Sequence, residues 1–202
     1  MSRVVVVGAL PDSLLNFRGK LLQELVAGGH QVTAMAAAAD AALVERLSGL
    51  GVAFRPFPVQ RNGLNPWADL GTFKALRRAF TEMQPDVVLC YTVKPVVWGG
   101  LALRGMRGTR FYALVTGLGF AFHGTGLARR LLAGLVVNLY RAALARASAV
   151  VFQNPDNRDE FVARGIVARD KCALVNGSGV DLDHFACQPF HDRDPVFLTI
   201  GR

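Results

Sequence analysis

The chain of 202 residues is 51% hydrophobic and 19% charged, and its 23 Lys and Arg against 15 Asp and Glu give a formal net charge of +8. This composition indicates one globular domain of about 150–200 residues with an appendage, and it argues against disorder. No uninterrupted apolar run reaches the roughly 18 residues of a membrane-spanning helix, and the residues after Met1 do not form a secretory signal. We therefore expect a cytoplasmic protein.

The excess of basic residues favours anionic partners, such as phosphate-bearing ligands or acidic lipid surfaces. Nucleic acid is not expected as a partner, because the basic residues are dispersed and the sequence has no helix-turn-helix or zinc-finger spacing. Cys90, Cys172 and Cys187 are odd in number and widely separated, which is typical of reduced thiols. We predict neither a disulfide framework nor a metal site from them.

Strand and helix patterns alternate along the chain. Short apolar or β-branched runs predict seven strands, at residues 3–8, 30–35, 52–57, 87–91, 110–115, 148–152 and 171–175. Amphipathic segments and glycine stops predict helices at 13–27, 40–50, 67–83, 95–104, 127–146 and 154–165. Repeated strand–helix units of this kind predict an α/β fold with a doubly wound parallel sheet of about seven strands. Ligands of such sheets bind in loops at the carboxyl ends of the strands.

The common phosphate-binding and nucleophile motifs are absent from this pattern. Gly8 is followed by Ala-Leu-Pro rather than by a dinucleotide-binding G-x-G-x-x-G, and Gly19-Lys20 lacks the Ser or Thr of a P-loop. Neither Ser13 nor Ser178 has the surroundings of a nucleophile elbow. An NAD- or nucleotide-binding α/β domain is therefore the weakest of the functional hypotheses.

Several short motifs follow successive predicted elements. They are Gly29-His30-Gln31-Val32, Tyr91-Thr92-Val93-Lys94-Pro95, Thr116-Gly117-Leu118-Gly119, Val151-Phe152-Gln153-Asn154, Val175-Asn176-Gly177-Ser178-Gly179-Val180-Asp181 and the closing Ile200-Gly201-Arg202. In this order and spacing, the set resembles the N-terminal half of retaining, family-four glycosyltransferases of the GT-B fold. It is most similar to the branch that extends undecaprenyl-diphosphate-linked glycans in bacteria.

The resemblance implies two Rossmann-like domains that face each other across a cleft. Residues 1–190 would form the acceptor-binding N-terminal domain, and residues 191–202 a linker and the first strand of a missing donor-binding domain. The implied activity is transfer of a hexosyl group from a nucleotide-diphosphate sugar, UDP-linked, to a lipid-linked or free glycan in bacterial polysaccharide assembly. No cofactor is implied, and the 202-residue chain alone is expected to be inactive.

The resemblance also implies roles for residues at the carboxyl ends of the strands. The candidate catalytic residues are Thr116, Gly117 and His123, the candidate acceptor-binding residues are Tyr91, Lys94 and Gly119, and the candidate donor-phosphate ligands are Asn16, Arg18 and Arg202. Glycine lets backbone amides approach a ligand closely, and Lys and Arg suit phosphate oxygens. The catalytic-loop His of some relatives falls nearer Gly117, so His123 departs from their pattern.

Structural interpretations remain open for several of these residues. Lys94 is an ordinary solvated lysine before a helix if it does not bind the acceptor diphosphate, and Arg18 is a surface charge if it does not reach the donor. Asn154 is interpreted as a helix cap, because its side chain can accept hydrogen bonds from the first free amides. Asn176 and Asp181 are expected to shape a turn at the domain junction.

The predicted helix at 127–146 places Arg130, Gly134, Asn138 and Arg141 on one arc by the 3.6-residue period. It is either a core helix with one solvated stripe or part of a peripheral contact with anionic lipid. In the second interpretation, the basic residues Lys74, Arg77 and Arg78 of an earlier helix contribute to the same contact.

A rival from another class is a non-catalytic recruiting module. In that hypothesis the domain binds the acceptor and pairs with a separately encoded donor-binding subunit. A continuing reading frame after Arg202 favours the enzyme, whereas a natural stop favours the split arrangement.

Overall fold

The computed structural model describes residues 1–60, 63, 65–117, 126–180, 182, 185–187 and 197–199. Its strands are β1 (Arg3–Val7), β2 (Gln31–Ala36), β3 (Val52–Pro56), β4 (Val87–Tyr91), β5 (Arg110–Val115), β6 (Ala149–Phe152) and β7 (Cys172–Leu174). Its helices are α1 (Asp12–Asn16), α2 (Gly19–Ala27), α3 (Ala41–Gly49), α4 (Pro66–Met83), α5 (Val93–Ala102), α6 (Leu127–Leu144) and α7 (Pro155–Ala163), and a 3-10 turn covers Arg169–Lys171. The predicted order of elements is confirmed.

The seven strands form one parallel sheet in the order β3-β2-β1-β4-β5-β6-β7. Val5 in β1, for example, lies beside Thr33 of β2 on one side and Val88 of β4 on the other. The strand order reverses between β1 and β4, and ligands of open α/β sheets bind at the carboxyl ends beside such a reversal. The predicted doubly wound, Rossmann-like sheet is confirmed, and its candidate site lies between the ends of β1 and β4.

Helices cover the sheet on both faces, and each face has its own apolar core. On one face, α1, α2 and α3 pack against side chains such as Val6, with Leu22 fully buried among them. On the other face, α4 to α7 pack against side chains such as Val7, with Phe80 and Tyr140 in the same cluster. Because β1 is buried on both faces, its sequence is a continuous valine run rather than an alternating pattern.

The first predicted helix, at 13–27, is wrong in one respect, because it is two helices. α1 ends at Asn16 and α2 begins at Gly19, and Phe17 and Arg18 between them have non-helical backbone angles. The break shifts the helical phase, so that Phe17 is exposed, although the continuous helix would bury it. Arg18 is turned inward instead.

Two adjacent glycines fix the position of α5. A Cβ on Gly99 would lie 2.5 Å from Cys90 Sγ of β4, and a Cβ on Gly100 would lie 2.6 Å from the Ala143 carbonyl oxygen of α6. The absence of side chains at these two positions lets α5 press against both neighbours. The N-terminus of α5 is thereby held at the carboxyl edge of the sheet.

Residues 191–202, predicted as a linker and strand, lie outside the described residues except for 197–199. In those three, Phe197 and Leu198 are exposed. The domain boundary at residue 190 therefore stays a prediction.

Candidate functional site

Polar residues follow five of the seven strands at the same edge of the sheet, because the carboxyl ends of parallel strands point the same way. They are Ser13 and Arg18 after β1, Tyr91 to Lys94 at the end of β4, Thr116 and Gly117 after β5, Gln153 and Asn154 after β6, and Ser178 after β7. The ends of β1 and β4 are neighbours in the sheet. Residues that follow these two strands therefore lie side by side at this edge.

Tyr91 ends β4 and is buried, with 2% of its surface exposed. Its hydroxyl lies 2.8 Å from Ser13 Oγ, and Ser13 Oγ itself donates to the Leu10 carbonyl at 2.6 Å. Since a serine hydroxyl has one proton, the Tyr91 hydroxyl is the donor to Ser13. Burial raises the pKa of Tyr91 above its ordinary value, and the Arg18 charge partly opposes this. The tyrosine therefore stays a neutral phenol at physiological pH.

Gly8, at the end of β1, makes room for this tyrosine. A Cβ at Gly8 would collide with the hydroxyl end of the Tyr91 ring and lie 2.8 Å from its Cε1. The packing of Tyr91 therefore explains why residue 8 is a glycine, although no G-x-G-x-x-G motif follows it.

Arg18 lies in the break between α1 and α2 and is 5% exposed. Its guanidinium carbon lies 5.0 Å from the centroid of the Tyr91 ring, which is within the range of a cation–π contact. Nη1 donates to the Phe17 carbonyl and to Ser178 Oγ, at 2.9 Å each. Nε is buried without a hydrogen-bond partner, and no carboxylate in the described part of the chain forms an ion pair with Arg18.

The interpretation of Arg18 as a surface charge is therefore wrong. Burial lowers the pKa of Arg18 from its ordinary value, and the neighbouring Tyr91 partly opposes that change. An arginine remains protonated in proteins. The site thus contains a buried positive charge for which the described residues supply no negative one.

Ser178 connects Arg18 to the end of β6. Its Oγ accepts a hydrogen bond from Arg18 Nη1 and a second one, also 2.9 Å long, from Gln153 Nε2 after β6. Ser178 is exposed, and it lies between Gly177 and Gly179, which have φ of +82° and +76°. Two donors from distant parts of the chain thus converge on one hydroxyl oxygen.

Lys94 lies in the first turn of α5 and is not a solvated lysine. Its Nζ lies 2.7 Å from Asp69 Oδ1 in the first turn of α4, and the two side chains are only 13% and 15% exposed. The charge of Lys94 is therefore matched within the chain, and its predicted contact with the acceptor diphosphate stays a prediction.

Thr92 joins Tyr91 to the α5 helix in a strained conformation. Its φ of 66° and ψ of 161° are almost confined to glycine, because a β-branched side chain is crowded there. Its Oγ1 is buried and has no hydrogen-bond partner among the described residues. Strain of this kind persists only where the surrounding structure imposes it.

The other predicted site residues are less closely connected. Asn16 and Thr116 are exposed, Gly117 is half-buried, and no hydrogen bond in the described ranges joins any of their side chains to Arg18. Gly119, His123 and Arg202 lie outside the described residues. No group of three or more His, Cys, Asp or Glu in the described part of the chain could hold a metal ion. The structure thus joins Arg18 and Tyr91, which were assigned to different substrates.

Four residues of the cluster were missed as site residues: Ser13, Asp69, Gln153 and Ser178. Ser13 and Ser178 lack the surroundings of a nucleophile, and they act here as hydrogen-bond partners of Tyr91 and Arg18. The local signals for Gln153 and Ser178 are the motifs of the family resemblance that contain them. Asp69 has none, because it meets Lys94 across 25 residues of sequence.

The predicted arc on α6 is exposed, and Leu131 and Leu135 are exposed beside it. Arg141 donates to the Gly165 and Arg164 carbonyls, so this arginine holds α6 to the end of α7. On α4, Arg77 donates to the Ala102 and Arg104 carbonyls and Arg78 pairs with Glu82. No helix in the described ranges is both long and apolar enough to cross a bilayer.

A family model provides the identification. The model for the glycosyl transferase 4-like domain matches residues 17–177, which begins one residue before Arg18 and ends one residue before Ser178. The chain belongs to this family. No curated protein sequence matches this glycosyl transferase 4-like domain.

Solved structures support the same fold for the glycosyl transferase 4-like domain. Anabaena HepE in complex with UDP and glucose is 14% identical with a TM-score of 0.62, over 94% of this chain and 48% of that one. Acinetobacter baumannii MurG is 15% identical with a TM-score of 0.56, over 90% and 46%. A UDP-GlcNAc 2-epimerase from Neisseria meningitidis bound to UDP-GlcNAc is 13% identical with a TM-score of 0.54, over 85% and 46%. The domain thus spans about half the length of the structures it matches, and these likenesses show its fold alone.

Proposed function

We propose that this domain is the acceptor-binding half of a retaining glycosyltransferase. It would act on a nucleotide-diphosphate sugar and a polyprenyl-diphosphate-linked glycan in bacterial surface polysaccharide assembly, as a hexosyltransferase that is inactive without its second half. The observation that carries the proposal is the buried Arg18 at the reversal point of the sheet, for which the described residues supply no negative partner. Family membership and the UDP named with two of the similar structures support the choice of ligand.

The donor diphosphate is assigned to the Arg18 side of the site. Burying a charge without a partner is unfavourable, and arginine forms strong charge-assisted hydrogen bonds with phosphate oxygens. Arg18 Nε has no partner in the described structure, so it is free to donate to such an oxygen. Asn16 and Arg202 remain candidate ligands of the same phosphates. Charge that develops on the leaving diphosphate would be stabilised by these fixed donors.

The acceptor is assigned to the ends of β4 and β5. Lys94 and Tyr91 lie there, and the first turn of α5 contains no acidic residue, so its partial positive charge is uncompensated by the helix itself. An acceptor diphosphate would lie beside this turn and share Lys94 with Asp69. Thr116 and Gly117 follow the neighbouring strand, and with Gly119 and His123 they are the candidates for contact with the reacting sugars.

The assay for this proposal uses the full-length protein with a panel of nucleotide sugars and an undecaprenyl-diphosphate-linked acceptor. We expect transfer from one donor, with the anomeric configuration retained in the product as read by NMR. Arg18→Lys should lower kcat/KM by at least about tenfold, because lysine cannot reproduce the planar fork of donors.

The matched control is Arg46→Lys on the exposed surface of α3, which should leave kcat/KM unchanged. An inverted product would contradict the retaining mechanism. Conversion of the nucleotide sugar without any acceptor would contradict transfer altogether, and would point instead to the chemistry of the epimerase neighbour.

A peripheral contact with anionic lipid is proposed for α6, because Leu131 and Leu135 are exposed beside Arg130. The protein should float with vesicles that contain acidic lipid, and the double variant Leu131→Ser/Leu135→Ser should reduce the bound fraction. Val44→Ser, at an exposed apolar position on α3, is the control. Equal flotation of the double variant and the control would remove this part of the proposal.

A non-catalytic recruiting module that pairs with a separately encoded donor-binding subunit is the second candidate, and the fold that the chain shares with part of the solved structures is common to both candidates. The codons after Arg202 distinguish the two. A second α/β domain in the same reading frame supports the enzyme, and a stop codon supports a separate donor-binding subunit.

A further inference from the structure

The hydroxyl of Ser178 receives hydrogen bonds that suit a stronger acceptor. Arg18 Nη1 and Gln153 Nε2 both donate to Ser178 Oγ, at 2.9 Å each. A guanidinium binds a phosphate oxygen more strongly than a neutral hydroxyl oxygen. In the bond to phosphate both the donor and the acceptor are charged, whereas in the bond to a hydroxyl only the donor is. The position of Ser178 Oγ is therefore one that an anionic oxygen would occupy with a gain in energy.

The segment that carries Ser178 is weakly attached to the domain. Val175 still donates to the Phe152 carbonyl beside β6, and the Gly177 amide donates only to Val175 within the segment. In the described part of the chain, residues 178–180 have no hydrogen bonds to the domain other than those of Ser178 Oγ. All residues from 176 to 180 are exposed.

The glycines on either side of Ser178 allow the segment to move. Gly177 and Gly179 have φ of +82° and +76°, a region that other residues rarely adopt, and no neighbouring atom lies within 4 Å of a Cβ built on either one. Glycine can leave this conformation for many others at little cost. Loss of the two Ser178 hydrogen bonds would therefore release residues 176–180.

We infer that Ser178 is a latch whose hydroxyl competes with a phosphate oxygen of the nucleotide ligand for Arg18 and Gln153. Binding of the phosphate would displace Ser178 Oγ and free the segment after β7. Occupancy of the Arg18 site would therefore change the conformation of residues 176–180. This inference rests on the proposed function, because it takes a nucleoside diphosphate as the competing anion.

The test is calorimetric titration of the full-length protein with UDP, combined with amide hydrogen exchange over residues 175–180. Ser178→Ala removes the competitor, so UDP should bind roughly three- to tenfold more tightly than to the wild type, which corresponds to the loss of one modest hydrogen bond. UDP should accelerate exchange in the segment of the wild type. In Ser178→Ala, exchange should be fast from the start and insensitive to UDP. Ser48→Ala, at an exposed serine of α3, should match the wild type in both measurements.

The possible failures are distinguishable. Unchanged UDP affinity in Ser178→Ala, with UDP-independent exchange in the wild type, would overturn the latch and leave nucleotide binding intact. Weaker UDP binding to Ser178→Ala would make Ser178 a ligand contact and would also overturn the latch. Absence of UDP binding to every protein in the set would overturn both the latch and the donor half of the proposed function.

Discussion

Two basic side chains lie largely out of solvent at the carboxyl edge of the sheet, and only one of them has a charge partner among the described residues. Lys94 lies against the carboxylate of Asp69. Arg18 is surrounded by a carbonyl, a hydroxyl and an aromatic ring, and it has no ion pair with any described carboxylate. Because a buried charge is stable only when it is paired, the Lys94 site is complete by itself, whereas Arg18 still lacks an anion.

The difference is consistent with a structural ion pair at Lys94 and with the binding site proposed at Arg18. Lys94 and Asp69 join the first turns of α5 and α4, so the ion pair helps to hold two helices together. Arg18 joins the break after α1 to the segment after β7, which is exposed and weakly attached. We therefore expect substitutions of Asp69 to affect mainly stability, and substitutions of Arg18 to affect mainly nucleotide binding.

The largest effect is expected for Asp69→Asn. It leaves Lys94 buried without its charge partner, which should lower the free energy of unfolding by about 3 kcal/mol, as measured by urea denaturation. The exposed carboxylate of Glu82, which pairs with Arg55 and Arg78, is the control, and Glu82→Gln should barely move the midpoint. The double variant Asp69→Leu/Lys94→Met should recover much of the loss. Equal midpoints for Asp69→Asn and Glu82→Gln would mean that the Lys94 pair is no better buried than a surface pair.

A smaller loss is expected for Gly8→Ala, which tests the packing beneath Arg18. The new methyl group would collide with the Tyr91 ring and should lower the free energy of unfolding by about 2 kcal/mol. Gly71→Ala in α4 has open space around its Cβ and should instead be neutral or slightly stabilising. If thermal denaturation showed the same change for both variants, Tyr91 would not be held where the structure places it.

Substitution of Thr92, which lies between Tyr91 and Lys94 in the chain, should raise stability rather than lower it. Thr92→Gly relieves a backbone conformation that is unfavourable for a β-branched residue and should raise the free energy of unfolding by about 1 kcal/mol. Gln84→Gly is the matched control, since Gln84 has φ of 47° and ψ of 58°, an ordinary left-handed helix end, and should gain less. Calorimetric unfolding of both variants measures the difference, and a destabilised Thr92→Gly would show that the Thr92 side chain makes a stabilising contact.

The smallest change in stability is expected for Arg18→Met. The variant loses two hydrogen bonds and the contact with Tyr91, but it also removes an unpaired buried charge, so the net change should stay below about 1 kcal/mol. Its affinity for UDP, in contrast, should fall by about tenfold or more. A loss of stability as large as that of Asp69→Asn would show that Arg18 mainly stabilises the fold, as the Lys94–Asp69 pair does.

Local patterns explain why most of the fold could be predicted. The Val4 to Val7 run and similar apolar runs locate strands buried on both faces, and Asn154 followed by Pro155 marks a helix start whose side-chain cap to the Asn157 amide is observed at 2.8 Å. The break at Arg18 was missed because Leu14, Phe17 and Leu21 fit one continuous helical stripe. Two helices are favoured over one because the break lets Arg18 lie buried over the Tyr91 ring, a contact between residues distant in sequence.

The sequence by itself determined the alternation of strands and helices, the parallel sheet, and the edge of the sheet at which the candidate residues gather, because these follow from short-range periodicity and chain direction. The tertiary structure alone decided which charges meet. Arg18 and Ser178 are 160 residues apart, and Lys94 and Asp69 are 25 apart. No local pattern records such a pairing, since it arises only when the strands order themselves and bring their carboxyl ends together.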